Sequence, residues 1–444
     1  MKKSLFGTDG VRGKVGNEPM TADFAMRLAS AAANTLKLKG KKVVIGKDTR
    51  LSGYMFESAL EAGFVAAGAD VLLLGPLPTP GIARLTQELN ANLGVVISAS
   101  HNAFYDNGIK FFDSSGSKLN DEIEKQIESQ VNEKPMTVES SLLGKAKFID
   151  NARIRYQDFC STSLPEGVDL SGLKIVFDGA NGAGYKVGPR TLGNLGADVI
   201  PIGCSPNGRN INEGCGSTQP ELLQLTVKAL NADVGVALDG DGDRLVMVDE
   251  EGQIIDGDQL LYVLAMERLS ENKLHGPVVG TIMSNLGLEK ALEKQKIEFH
   301  RTNVGDRNVL KELRKSGGVI GGETSGHMIV LDKTTTGDGL ICALQILAIM
   351  KKNKSKLSDL VSGMSKYPQT NINVKVNRNF NLETSKKVQD AISHAEAELL
   401  NKGRIVLRAS GTEPVIRVMV EGKNRDQIDI IAKQLAGVVS EFAS

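Results

Sequence analysis

Three aspartates occupy alternate positions in the segment LDGDGDR, directly after the apolar run VGVAL. Carboxylates as close in sequence as Asp239, Asp241 and Asp243 repel one another unless a cation lies among them. Ligation by oxygen alone favours Mg²⁺ or Ca²⁺. An EF-hand is excluded because the sixth position of that loop must be glycine, whereas here it is Arg244. We therefore expect a divalent cation at this loop, and the alternative is a solvated acidic turn.

The segment RASGTEPVIR carries the donors that a phosphate dianion needs. Backbone N–H groups of a tight turn, two hydroxyls and flanking guanidinium groups can surround the phosphate oxygens, which arginine can bind bidentately. We expect phosphate binding by Arg408, Ser410, Gly411, Thr412 and Arg417. The alternative is an ordinary turn between two strands whose arginines face water.

The segment GGETSGH places Glu323, Ser325 and His327 at alternate positions after an apolar strand. In an extended loop, alternate side chains lie on one side, so all three could contact one ligand. Glutamate and serine at this spacing suit sugar hydroxyls. Composition alone is equally compatible with a structural turn.

Two further loops, FGTDGVRG and KDTRLSG, contain Arg12 and Arg50 and resemble anion-binding loops. A surface arginine is more often a salt-bridge partner or is simply solvated. The sequence has neither a G-x-x-x-x-G-K-[ST] motif nor a strand-linked G-x-G-x-x-G motif, so a nucleotide is not the expected source of phosphate.

Ser100 ends the apolar run of ISASHNAFYDNGIK and is followed by His101 and Lys110. Acyl transfer would need a histidine base and an oxyanion hole, and no triad order is recognisable. Phosphoryl transfer needs mainly positioning, a cation and basic residues around the phosphoryl oxygens. A lone loop serine is usually a bystander, but cation, phosphate and hydroxyl loops at other strand ends of the same chain favour phosphoryl transfer.

Apolar strands that end in polar, glycine-bearing loops recur along the sequence. Pairs of such strands, separated by helical stretches, span residues 43–95, 175–234 and 278–319. They predict three similar α/β units, followed by a smaller α+β unit. The first helix is expected to be capped by Thr21 and to end at Gly40. The predicted domains are residues 1–152, 153–254, 255–367 and 368–444.

The bulk composition excludes several classes of partner. Lys+Arg and Asp+Glu both total 53, so no basic surface for nucleic acid or membrane is indicated. The longest apolar segment, LICALQILAIM, is far shorter than the ~20 residues of a membrane span. The four cysteines form no C-x-x-C pair, which favours a reducing compartment, and we expect a cytoplasmic protein without nucleic-acid or membrane partners.

Taken together, the motifs resemble those of the α-D-phosphohexomutase superfamily, and most closely its glucosamine-phosphate branch. FGTDGVRG, SASHN…NGIK, DGDGDR, GGETSGH, TTTGDG and RASGTEPVIRVMVEG stand in the family's order along the whole chain. The resemblance implies a four-domain α/β architecture around one cleft. Three domains would share one α/β topology, and the C-terminal domain would be of the TATA-binding-protein-like α+β type.

The same resemblance implies roles for individual residues. Ser100 would be a phosphoserine, and Mg²⁺ would be held by its phosphate together with Asp239, Asp241 and Asp243. Lys110, helped by His101 or Arg244, would handle the proton of the attacking hydroxyl. The expected substrate-binding residues are Arg12, Arg50, Glu323, Ser325, His327, Arg408, Ser410, Gly411, Thr412 and Arg417.

The implied reaction interconverts glucosamine 6-phosphate and glucosamine 1-phosphate through a 1,6-bisphosphate, which would also serve as activator. Such an enzyme would supply UDP-N-acetylglucosamine synthesis for cell-wall precursors and could be a homodimer. The alternatives are a phosphomannomutase or phosphoglucomutase of the same superfamily, or a non-catalytic sugar-phosphate sensor.

Three positions depart from the family's pattern. Ala103 follows S-H-N where proline is usual, so the loop lacks a φ restraint and is expected to be more mobile. Asn303 and Asn308 stand where lysine and tyrosine are expected, so a substrate-binding role for that segment is not assigned.

Overall fold

The computed structural model describes residues 5–7, 9–377, 385–400, 402–409 and 415–443. Within them lie four sheets of six, five, four and three strands. We call the parts of the chain built on these sheets domains I to IV, in chain order. The four-domain α/β fold class is thereby confirmed, whereas the boundaries at residues 152, 254 and 367 stay a prediction.

Domain I has the sheet order β1-β5-β4-β2-β3-β6, with β1 and β5 antiparallel to their neighbours. Its strands are Val11–Lys14 (β1), Lys42–Lys47 (β2), Asp70–Pro76 (β3), Leu93–Ile97 (β4), Asp106–Asp113 (β5) and Ala146–Phe148 (β6). Its helices are Ala22–Thr35 (α1), Gly53–Ala66 (α2), Thr79–Glu88 (α3) and Asp121–Gln130 (α4). The Thr21 side chain caps α1 as expected, but the helix ends at Thr35 rather than Gly40.

Domain II has the sheet order β11-β10-β9-β7-β8. Its strands are Lys174–Asp178 (β7), Asp198–Ile202 (β8), Val234–Leu238 (β9), Leu245–Val248 (β10) and Ile254–Ile255 (β11). Helix Ala152–Ser161 (α5) precedes the sheet, and Val187–Asn194 (α6) and Glu221–Leu230 (α7) cross over between its strands.

Domain III has the sheet order β13-β12-β14-β15. Its strands are Val278–Thr281 (β12), Phe299–Thr302 (β13), Ile320–Gly322 (β14) and Met328–Val330 (β15). Its helices are Gly257–Ser270 (α8), Leu286–Lys294 (α9), Asp306–Ser316 (α10), Gly339–Asn353 (α11) and Leu357–Val361 (α12).

The first three domains share one strand arrangement, as the repeated pattern predicts. In each, three parallel strands are followed by an antiparallel one, in the orders β3-β2-β4-β5, β8-β7-β9-β10 and β13-β12-β14-β15. The third strand of each set, β4, β9 or β14, therefore occupies the same place in its domain. The loops after these strands carry the serine, aspartate and glutamate motifs that were singled out in the sequence.

Domain IV is an antiparallel sheet with β18 at its centre, flanked by β16 and β17. The strands are Gln369–Lys375 (β16), Gly403–Ala409 (β17) and Val415–Gly422 (β18), and the helices are Lys386–Leu399 (α13) and Arg425–Ala443 (α14). Its hydrophobic core is separate from those of the other domains. Among the described helices of the chain, none is long and apolar enough to cross a membrane.

One continuous hydrophobic core joins domains I, II and III. Helix α11 is apolar and buried from Gly339 to Met350, so it packs on all sides. Tyr156 of α5 is fully buried in this core and its hydroxyl donates to Asp338, 2.8 Å away. Asp338 also accepts from the Ile341 N–H at the start of α11, and burial raises the pKa of Asp338 to about 6.

Replacing Tyr156 by phenylalanine should lower the free energy of unfolding by about 1–2 kcal/mol, because a buried carboxylate oxygen loses its donor. Urea denaturation of Tyr156→Phe and the parent protein checks this. Tyr54→Phe is the matched control, since that side chain is 62% exposed. Equal effects of the two substitutions would contradict a structural role for the Tyr156 hydroxyl.

Candidate active site

The loops after β4, β9 and β14 meet where domains I, II and III come together. The Thr79 N–H donates to the Asp241 carbonyl at 2.8 Å, and the Leu245 N–H donates to the Gly326 carbonyl at 3.0 Å. These backbone contacts join the loop of domain II to the other two domains. The serine, aspartate and glutamate loops predicted from sequence therefore lie next to one another.

Ser100 is held with its side chain against the aspartate loop. Its Oγ donates to Asp239 Oδ2 at 2.6 Å and lies 3.3 Å from His101 Nδ1. Its backbone has a left-handed φ of 53°, and its N–H donates to Ser98 Oγ at 2.9 Å. A non-glycine residue in this conformation is strained, so the surrounding contacts must fix it.

Arg50 supplies part of that restraint and does not reach the cleft. Its side chain is fully buried, with Nε 2.8 Å from Asp48 Oδ2. Its Nη2 donates to the carbonyls of Ser100 and Asn102 at 2.9 and 2.8 Å, and its Nη1 donates to that of Ala103. The expectation that Arg50 binds substrate is therefore not supported, because its donors are used by the serine loop itself.

Asn212 is a second support of the serine loop that sequence reasoning missed. Its Nδ2 donates to the carbonyls of Ser100 and Asn102 at 2.9 and 3.0 Å. Gly240 packs against the same loop so closely that a Cβ there would lie 2.6 Å from the Ser100 carbonyl oxygen. Domain II thus fixes the backbone of Ser100 as well as its side chain.

The three aspartates fit a hard divalent cation. One carboxylate oxygen of each lies within 4.8 Å of the others, and all three residues are buried. Asp241 Oδ1 and Asp243 Oδ1 have no hydrogen-bond partner among the described residues. Burial, reinforced by Asp243 and Asp241, raises the pKa of Asp239 to about 8. Three buried carboxylates at this spacing, two of them with an oxygen that lacks a donor, are a set that Mg²⁺ would satisfy.

Lys110 lies beside this cluster and is held as a cation. Its Nζ is 2.8 Å from Asp241 Oδ2 and 2.9 Å from Asp9 Oδ2. Burial opposes its charge, but Asp241 and Asp9 together keep the pKa of Lys110 above its ordinary value. Asp9, in the FGTDG segment, was not predicted from sequence. Asp9 is far from Asp241 in the sequence, so no local pattern indicated that the two carboxylates would both contact Lys110.

His101 differs from Lys110 in charge. Burial, with the nearby guanidinium groups of Arg244 and Arg12, lowers the pKa of His101 to about 4. The ring is therefore neutral at pH 7. The backbone N–H of Arg244 donates to Asp239 Oδ1 at 3.2 Å. Arg12 pairs with Asp9 and is partly exposed.

The loop after β14 separates its three predicted residues. Glu323 Oε1 accepts from the Gly305 N–H at 2.9 Å, and Ser325 is exposed. His327 is buried, 3.6 Å from Asp243 Oδ1 and 3.5 Å from Asp306 Oδ2. Although burial opposes it, Asp243 and Asp306 raise the pKa of His327 to about 9. The loop is a tight turn rather than an extended segment, so His327 does not share one face with Ser325.

Arg408 and Arg417 lie directly opposite each other on β17 and β18. Like charges in this arrangement repel, which an anion between them would relieve. Burial and the adjacent Arg417 lower the pKa of Arg408, while Glu323 opposes this shift. Ser410, Gly411 and Thr412 lie outside the described residues.

Ala103 and Asn308, which differ from the expected family pattern, form hydrogen bonds with nearby residues. The Ala103 carbonyl accepts from Arg50 and, at 3.1 Å, from the Asp106 N–H, so the loop is anchored without proline. Asn308 Nδ2 donates to the Val304 carbonyl at 3.0 Å. The expected greater mobility of the loop stays a prediction.

Comparison with known families accounts for this arrangement. Phosphoglucomutase/phosphomannomutase alpha/beta/alpha domains I, II and III match residues 3–137, 155–252 and 256–367, and the C-terminal domain of that family matches residues 372–438. The chain belongs to the phosphohexomutase family. The expectation drawn from its motifs is thereby confirmed.

Two full-length relatives of the chain are phosphoglucosamine mutases. The chain is 55% identical to a phosphoglucosamine mutase of Nitrosococcus oceani, with 99% of this chain and 98% of that protein covered. It is 54% identical to a phosphoglucosamine mutase of Alcanivorax borkumensis, with 99% of each covered.

Solved structures show the same fold at low sequence identity. A phosphoglucomutase/phosphomannomutase family protein from Burkholderia thailandensis has a TM-score of 0.82 and 24% identity, with 99% of this chain and 98% of that chain covered. N-acetylphosphoglucosamine mutase of Aspergillus fumigatus, in complex with GlcNAc-6P and magnesium, has a TM-score of 0.72 and 19% identity, with 99% and 96% covered.

The hydrogen bonds from Arg50 to the serine loop, which we call the Arg50 clamp, are predicted to position Ser100. Arg50→Met should lower the rate of any reaction at Ser100 by about 100-fold, since a misplacement of about 1 Å can cost that much. Arg50→Lys should recover little, because lysine cannot reproduce the planar fork of donors. Steady-state turnover, with circular dichroism to verify folding, provides the measurement. A folded Arg50→Met protein with parental turnover would show that the clamp does not matter.

Proposed function

We propose that this phosphohexomutase interconverts glucosamine 6-phosphate and glucosamine 1-phosphate by means of a phosphoryl group carried on Ser100. The observation that carries the proposal is the Ser100 Oγ, 2.6 Å from Asp239 within a cluster of three buried carboxylates. A phosphoryl group on this hydroxyl would supply a further oxygen ligand for a cation held by the carboxylates.

The choice of glucosamine over glucose or mannose rests on the relatives. Proteins that are 51–55% identical over nearly the whole chain bear the name phosphoglucosamine mutase. This supports the glucosamine phosphates as substrates and disfavours a phosphomannomutase or phosphoglucomutase. A sensor without activity is also disfavoured, since a sensor needs no phosphate acceptor beside a cation site.

The reaction has two transfers at one centre. In the first, the P–Oγ bond of phospho-Ser100 breaks as a bond forms from phosphorus to O1 of glucosamine 6-phosphate, and the O1 proton ends on Ser100 Oγ. In the second, the bisphosphate returns its 6-phosphoryl group to Ser100, and a proton from Oγ ends on O6. Because Lys110 is held as a cation, it would give a proton to the leaving oxygen and regain one from the attacking hydroxyl, with His101 and Arg244 as helpers, and its charge would offset that of the phosphoryl group.

Mg²⁺, when bound, would neutralise charge that develops on the phosphoryl oxygens. Asp239, Asp241 and Asp243, with an oxygen of the Ser100 phosphate, would hold it. Thr79 keeps Asp241 in place, because its Oγ1 donates to Asp241 Oδ2 at 2.7 Å.

The non-reacting phosphate would lie between Arg408 and Arg417, with Ser410, Gly411 and Thr412 completing its donors. Glu323 and Ser325 would contact the sugar hydroxyls, and Arg12 would meet the substrate at the edge of the site. His327 would lie beneath the cleft and would influence the substrate through its contact with Asp243. The pathway, the 1,6-bisphosphate activator, a homodimer and a cytoplasmic location remain parts of the proposal that rest on resemblance.

Removal of the Ser100 hydroxyl tests the phosphoryl carrier. Ser100→Ala should lower the conversion of glucosamine 6-phosphate by at least about a thousandfold, because the acceptor is lost. The assay contains Mg²⁺ and a hexose 1,6-bisphosphate, and intact-mass spectrometry follows the phosphoenzyme. Ser115→Ala, a substitution in an exposed turn, is the control. Parental turnover in Ser100→Ala, or faster conversion of mannose or glucose phosphates by the parent, would contradict the proposal.

The arginine pair predicts a binding defect. Arg417→Ala should raise KM for glucosamine 6-phosphate about tenfold or more, since hydrogen bonds to a charged group contribute about 1.5–3 kcal/mol. Arg425→Ala controls for the loss of a positive charge on domain IV, because Arg425 is largely exposed and pairs with Asp429. The KM is measured by steady-state kinetics. Equal KM values for Arg417→Ala and Arg425→Ala would show that Arg417 does not bind the phosphate.

A further inference from the structure

A closed ring of alternating charges lies beneath the candidate active site. It contains three basic and three acidic side chains drawn from domains I, II and III. In order around the ring they are Lys110, Asp9, Lys118, Asp306, His327 and Asp243.

Each neighbouring pair in the ring is within ion-pair range. Lys110 Nζ is 2.9 Å from Asp9 and 3.8 Å from Asp243, and Lys118 Nζ contacts both Asp9 and Asp306. His327 closes the ring at 3.5 and 3.6 Å from its two carboxylates. The six side chains are only 2–21% exposed, so water screens these charges weakly.

Lys118 is the member that joins domain I to domain III. Asp9 comes from the first loop of domain I, and Asp306 is the first residue of α10 in domain III. Immediately before it, the Gly305 N–H donates to Glu323 Oε1. Lys118 therefore connects the segment that supports the β14 loop to the carboxylate that contacts Lys110.

We propose that Lys118 is a positioning residue that places Lys110 through Asp9, and does so only when domain III is seated against domain I. The proposal rests on the proposed function, since it concerns the lysine assigned to phosphoryl transfer. Asp9 Oδ1 pairs with Lys118, whereas Asp9 Oδ2 is shared by Lys110 and Arg12. Without Lys118, Asp9 is held through Oδ2 alone, so the carboxylate can turn and its contact with Lys110 is weakened.

The contact between domains I and III does not depend on Lys118. Arg307 of α10 pairs with Glu124 and Asp121 of α4, and Arg314 donates to Ser117 Oγ at 2.9 Å. A buried charge network is costly to desolvate and is often replaceable by apolar residues without loss of stability. Placement of Lys110 therefore explains the buried Lys118 better than stability does.

The test compares Lys118→Met with Arg307→Met, which weakens the same domain contact outside the ring. Phosphoenzyme is prepared with a hexose 1,6-bisphosphate, and transfer of its phosphoryl group to the hexose phosphate that the parent turns over best is followed by rapid quench. Lys118→Met should lower the transfer rate and kcat about 100-fold with KM changed less than about threefold. Arg307→Met should lower kcat less than about threefold.

Lys118→Arg, which keeps the charge, should recover at least about tenfold of the lost rate. If Lys118→Met does not fold, Asp306→Asn tests the same link, because it removes the negative charge that Lys118 meets in domain III and keeps the side-chain shape. A parental transfer rate in the folded variant, equal losses in Lys118→Met and Arg307→Met, or a loss confined to KM would overturn the proposal. Failure of the parent to use glucosamine phosphates would instead refute the proposed substrate, since the ring is tested with whichever hexose phosphate is turned over.

Discussion

Crowded negative charge is the constraint on which the arrangement of the first three domains depends. Asp239, Asp241 and Asp243 are buried together, and Asp9 and Asp306 lie close by. Buried carboxylates must be paired or must coordinate a cation. Domains I and III supply the required cations from Lys110, Lys118 and His327. The observed arrangement of the domains pairs these acids with bases.

The serine loop meets a different requirement, which is a fixed backbone in a strained conformation. Its left-handed φ at Ser100 persists because Arg50 and Asn212 donate to the same carbonyls from two domains. The strand end alone could not hold the hydroxyl 2.6 Å from Asp239. Ser100 is thus positioned by buried side chains of two domains.

Local patterns in the sequence predicted the strands, the shared topology and the aspartate cluster, because alternation and apolar runs act over a few residues. The end of α1 was mispredicted, since Lys37 adopts a φ of 52° and stops the helix before Gly40. Arg50 and His327 were predicted to bind substrate, but the sequence does not show that both side chains are buried. Asp9, Asn212 and Lys118 act through partners far away in sequence, so no local spacing could identify them.

Domain IV is joined to the rest of the chain differently. Its Arg404 donates to the carbonyls of Ile282 and Ser284, and its buried Glu421 accepts from the Leu286 N–H. These contacts lie at one short segment, between β12 and α9, and domain IV keeps its own core. The phosphate site proposed for domain IV would hold one end of a substrate, while the proposed reacting centre lies among the other three domains. That division suits a reaction in which either end of a bisphosphate must face the same serine.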